Sequence, residues 1–136
     1  MILTKKQKDK IMLINLSNHP HKSKWDHTQL NAANQQFGEI EDIQFPNIQP
    51  DWDVAQIETL AREYYEQIKT KENTTKEKPV IHITGELVFC FSLIQMLLKD
   101  GFRCITSTTE RIVKEENNEK TTVFMFKKFR DYKLLS

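Results

Sequence analysis

Three clusters of small polar side chains punctuate the chain, and each closes an apolar run. Ser17, Asn18, His19 and Pro20 follow IMLINL at residues 11–16; Thr84, Gly85 and Glu86 follow PVIHI at 79–83; Ser107, Thr108, Thr109, Glu110 and Arg111 follow FRCIT at 102–106. Hydroxyls and backbone amides donate hydrogen bonds to phosphate oxygens, and a guanidinium grips a phosphate through a two-pronged fork. Ser17, Asn18, Thr84, Gly85, Ser107, Thr108, Thr109 and Arg111 are therefore candidates for holding a phosphate ester. Lys22 and Lys24, just past the first cluster, would draw an anion toward it. His19 is a candidate general acid or base, because imidazole is the side chain that titrates nearest neutrality. Trp25 is either a stacking surface for a base or a core aromatic beside a helix start. Glu86 and Glu110 suit such a site only if they bond a ribose hydroxyl, a base amine or Arg111, since a bare carboxylate repels phosphate. Taken singly, each cluster also has an ordinary explanation as a turn or a helix cap.

The clusters must be positioned by the elements that precede them. Residues 11–16 form a short apolar run without helical period, which predicts a buried strand. Asp26 is a candidate N-cap for a helix over 28–37, closed by Gly38, and residues 39–45 predict a second strand. Asp51 or Asp53 opens a longer amphipathic helix in which Val54, Ile57, Leu60, Ala61, Tyr64, Tyr65 and Ile68 recur every three or four residues. Residues 69–78, KTKENTTKEK, predict a charged connector without structure. A third strand over 79–84, a nearly all-apolar helix over 87–99 and a fourth strand over 102–106 follow. The last strand, 121–126, is expected antiparallel to the fourth, because the EENNE turn is too short for a crossover helix.

Alternating strands and helices predict an α/β fold, small and Rossmann-like, with a mostly parallel sheet, helices on both faces and an antiparallel C-terminal strand. In such sheets ligands sit at the carboxyl ends of the strands, which is where the three polar clusters fall. A chain of 136 residues predicts a single domain, 1–136. A formal net charge of +1 argues against a basic surface for long nucleic acids, so any anion must be held locally. No run approaches a membrane span, the first ten residues lack the apolar core of a signal peptide, and Cys90 and Cys104 lie in apolar stretches; the expectation is a cytoplasmic protein. There is no GxGxxG after the first strand, no Walker motif, and no ligand-like spacing among His19, His21 and His27, so neither cofactor nor metal is expected.

The strand end "LSNHP", the "HITGE" at the third strand and the "TSTTER" after the fourth resemble the small CRISPR-associated proteins of type III systems that are related to CARF domains, among them stand-alone ring nucleases. That resemblance implies a homodimer that binds a cyclic oligoadenylate across its two-fold axis in antiviral signalling. In the members that are enzymes it implies metal-independent cleavage, with a ribose 2′-hydroxyl attacking the adjacent phosphorus. On this reading Ser107, Thr108 and Thr109 hold phosphate or ribose, Arg111 offsets the developing charge and His19 moves the proton. Two other readings compete. One is a non-catalytic adaptor that dimerises or docks a partner through the apolar helix; the other is a different nucleotide phosphodiesterase using the same strand ends.

Overall fold

The computed structural model describes residues 10–74 and 77–135; residues 1–9, 75 and 76 of the charged connector, and 136 lie outside the described residues. Five strands form one sheet: β1 Leu13–Ser17, β2 Ile40–Gln44, β3 Val80–Ile83, β4 Cys104–Glu116 and β5 Glu119–Asp131. Their spatial order is β2-β1-β3-β4-β5, with the first four parallel and β5 antiparallel to β4. The fold is thus α/β and Rossmann-like. The chain leaves β1 in one direction toward β2 and returns past it to β3, which opens a crevice at the carboxyl ends of β1 and β3.

The first helix, α1 His21–Lys24, is a single turn that the sequence does not announce, and α2 follows as His27–Gln36. Asp26 caps α2, accepting a 2.8 Å hydrogen bond from the Gln29 amide. The long amphipathic helix α3 runs Val54–Lys71, where the Gln56 side chain accepts from the Asp53 backbone amide at 2.8 Å. It enters the stretch read as unstructured connector by one turn and passes into a 3-10 turn, Glu72–Thr74. Helix α4 spans Leu87–Lys99.

Because β1 and β3 are buried on both faces, successive residues serve two cores. Ile14, Leu16, Ile81 and Ile83 face α3 and α4 and pack with Ile57, Ala61, Phe89, Leu93 and Leu97. Leu13 and Val80 face the other way, toward Trp25, Ala33, Phe37, Ile105, Phe126 and Phe129.

The greatest departure from expectation is the length of the last two strands. β4 does not end at Thr106, and β5 does not stop at Phe126; each has 13 residues. They continue past the carboxyl edge as a two-stranded arm, turned at Asn117 and Asn118, whose φ values of 51° and 64° fit a tight hairpin. Thr108 pairs with Lys128 and Thr109 with Phe126, leaving Lys127 as an extra residue. This bulge brings Phe126 and Phe129, three apart, onto one face with ring centroids 4.9 Å apart.

Candidate functional site

The strand registers bring the first, third and fourth strand ends to one level. Leu16 lies beside Ile83 and His82 beside Ile105, so Ser17, Thr84 and Ser107 stand in a row at the carboxyl rim. Just beneath them, on the α2 face, lies a connected set of polar side chains. Asn15 and His82 are 1% and 2% exposed in the middle of otherwise apolar strands, a position that demands hydrogen-bond partners.

The partners fix every proton. Asn15 Nδ2 donates to the His19 carbonyl and to Asp42 Oδ1, both at 2.9 Å, so the amide cannot be turned the other way. Its Oδ1 then accepts from Ser17 Oγ and from His82 Nδ1, each at 2.9 Å. His82 Nδ1 therefore carries the imidazole proton, and Nε2 presents a lone pair 2.7 Å from Ser107 Oγ. The Ser107 hydroxyl donates to it and in turn accepts from Gln29 Nε2 at 2.9 Å. The order across the sheet is Asp42, Asn15, His82, Ser107, Gln29.

Electrostatics hold this set in one charge state. Burial, with the nearby His19, pushes His82 down to about 4, so the ring is neutral at physiological pH. Burial pushes the Asp42 carboxyl up, but hydrogen bonds from Asn15 and from the ring and amide of His21 outweigh it and hold Asp42 below its ordinary value. His21 Nδ1 sits 2.9 Å from Asp42 Oδ2. Trp25 roofs the set, its ring 5.1 Å from His82 and edge-on to it.

Several residues expected at a ligand are turned to other work. Trp25 is 7% exposed and packs on His82 and Phe129, which makes it a core aromatic and not a stacking platform. Ser17 is 5% exposed, its hydroxyl spent between Asn15 Oδ1 and the His19 amide. Glu86 is the N-cap of α4: Oε1 accepts from the Val88 and Phe89 amides at 2.6 and 3.2 Å, while Oε2 is buried with no hydrogen-bond partner among the described residues. The Thr108 hydroxyl is tied to the Lys128 backbone, and Glu110 pairs with Lys127 at 3.1 Å, not with Arg111. Gly85 is required by packing, because a Cβ there would fall inside the Phe45 ring.

What remains open at the rim is Asn18, His19, Thr84, Gly85 and the half-buried Ser107, with Lys22 and Lys24 exposed on α1. Thr109 and Arg111 belong to the arm, not to a loop. At about 3.3 Å of rise per residue, the exposed Arg111 stands about 13 Å beyond Ser107.

Asn15, Asp42 and His82 are absent from the polar clusters, yet they were findable. LINL and VIHI each carry one polar residue inside an apolar strand, and two such residues on neighbouring strands are each other's natural partners. A separate groove of about 330 Å³ between α3 and α4, lined by Glu58, Arg62, Ser92, Gln95, Met96 and Lys99, shares no residue with the rim. Among the described residues no group of three or more His, Cys, Asp or Glu side chains is placed to hold a metal ion, and no helix is long and apolar enough to cross a membrane.

A family model matches residues 11–130, a span that contains the whole network from Asn15 to Ser107. The chain belongs to the Uncharacterized protein MJ1673 family. Neither the curated proteins nor the solved structures give a match.

Proposed function

We propose that this protein binds a cyclic oligoadenylate at the carboxyl rim of its sheet and opens the ring without a metal, as a member of a type III CRISPR antiviral response. The observation that carries this reading is the meeting of Asn18–His19, Thr84–Gly85 and Ser107 at the β1/β3 crevice, above a polar network that holds Ser107 in a single orientation. Lys22 and Lys24, exposed on α1 a few residues after His19, attract the phosphates. In the reaction the ribose 2′-oxygen bonds to phosphorus as the P–O5′ bond breaks. The 2′-proton passes to His19, a water molecule protonates the departing 5′-oxygen, and the imidazolium returns its proton to the hydroxide so formed, leaving a 2′,3′-cyclic phosphate and a free 5′-hydroxyl. Positioning and electrostatics supply the rate, with Arg111 offered from the arm above the rim.

Incubation with cyclic tetra-adenylate in EDTA, with products resolved by chromatography, tests the proposal. A linear product is expected, and His19→Ala should lose turnover while retaining binding. Absence of both binding and product removes the reading.

A second reading concerns assembly. Leu87, Val88 and Phe91 at the start of α4 are 82%, 44% and 67% exposed, a cluster of large apolar side chains on the helix that begins at the rim. It supports a homodimer, in keeping with a two-fold symmetric ligand. Light scattering at micromolar concentration should give twice the chain mass, and Phe91→Arg should give the monomer. A monomer for the unaltered protein removes this assembly.

A further inference from the structure

Serine hydroxyls at anion sites usually act as donors, but Ser107 has no proton to give. The only hydrogen on Oγ is committed to His82 Nε2 at 2.7 Å, since His82 Nδ1 must hold its own proton against Asn15 Oδ1. One of the two Ser107 lone pairs takes the Gln29 amide at 2.9 Å. A hydroxyl has one donor and two acceptor positions, so a single acceptor position remains.

We propose that Ser107 is an acceptor-only contact, which selects a ligand group that donates a hydrogen bond, such as a ribose hydroxyl or a base amine, and turns away a phosphate oxygen. This deepens the function proposed above and rests on it for the identity of the ligand. The selection follows from the chain of fixed partners. Asp42 and the His19 carbonyl orient the Asn15 amide, Asn15 sets the His82 tautomer, and His82 sets the Ser107 hydroxyl. None of these groups has a second arrangement that keeps all its bonds, so a phosphate oxygen at Ser107 would face a lone pair or break the Ser107–His82 bond. A donor can take the one acceptor position left on Ser107 without breaking either bond. Phosphate recognition then falls to Asn18, Thr84, Lys22 and Lys24.

Two measurements test the assignment. The first needs no ligand: nitrogen-15 NMR of the His82 imidazole between pH 5.5 and 8 should show a protonated Nδ1 and an unprotonated Nε2. A proton on Nε2 would leave the Ser107 hydroxyl free to donate and overturns the proposal. The second compares binding of cyclic tetra-adenylate with its 2′-deoxy analogue and with the cyclic inosine analogue, which lacks the amine. One analogue should bind about tenfold more weakly than the parent, and Ser107→Ala should erase that difference. Equal affinity of all three for the unaltered protein overturns the acceptor role. Failure of the parent to bind removes the cyclic-oligoadenylate reading, and the tautomer then decides whether Ser107 is acceptor-only.

Discussion

His82 on β3 and Ser107 on β4 are joined by a 2.7 Å hydrogen bond that crosses the sheet diagonally, because the register sets His82 beside Ile105, two residues short of Ser107. The bond requires a neutral ring, and the burial that keeps it neutral has a thermodynamic signature. The folded value of about 4 lies below the ordinary 6.5, so as pH falls the unfolded chain takes up a proton first. The His82 contribution is therefore full above pH 6.5 and declines as pH falls toward 4, below which it changes no further. The total loss is roughly 3 kcal/mol. Urea unfolding across this window should show the decline in the unaltered protein and a flatter profile in His82→Asn. Identical profiles would falsify a buried neutral His82.

Gly85 is expected to be intolerant of any side chain. A Cβ would overlap the Phe45 ring, and Phe45 is itself held edge-on against Phe89 at 5.2 Å in the core. Gly85→Ala should cost about 1–3 kcal/mol through this overpacking and should shift the Thr84–Glu86 segment of the rim. Denaturant midpoints measure the first, and ligand affinity the second. An unchanged midpoint would show that Phe45 can move aside.

Asp26 links helix stability to the site. Its carboxylate holds the Gln29 amide, and the Gln29 side chain reaches Ser107. Asp26→Ala should lower stability by about 1 kcal/mol, and Asp26→Ser should restore most of it. Thermal unfolding of the three proteins is the check; a serine no better than alanine would mean that the cap is not what Asp26 supplies.

The two thiols should be inert in the folded protein. Burial pushes both Cys90 and Cys104 up to about 12, with Glu86 adding to the effect at Cys90 and Asp131 at Cys104. Only about one thiol in ten thousand is ionised at pH 8 in that case. Iodoacetamide at pH 8 should label neither until urea is added, as read by mass spectrometry. Rapid labelling of either cysteine in buffer would show a reactive thiol.

The alternation of elements, the mostly parallel sheet and the helix α4 were legible because apolar period and capping residues are local signals: Asp26, a candidate N-cap by residue type and place, does cap α2. The arm was not legible. Thr108–Arg111 carry hydroxyls and charges in place of the apolar alternation that marks a strand, and all but the half-buried Thr108 are exposed. The bulge at Lys127 breaks what period β5 has. For the site, Ser17, Thr84 and Ser107 stand level across the sheet, but Thr108–Arg111 continue β4 and do not end it, and Trp25 is buried after α1, a single turn with no sequence signature of its own. Asn15 and His82 escaped because interior polar residues acquire meaning only through their neighbours across the sheet.

The Asn15–His82–Ser107 ladder also bears on how the chain finds its native topology. Strands reading LINLS and VIHI could slide two residues past each other and still present the same greasy faces to both layers. Such a slip would set Asn15 opposite Val80 in one direction or His82 opposite Leu13 in the other, and would break the Asn15–His82 hydrogen bond. The three polar side chains thus work as a notched key: only the native register gives Asn15 and His82 each other as partners, and a slipped one leaves buried polar groups unpaired.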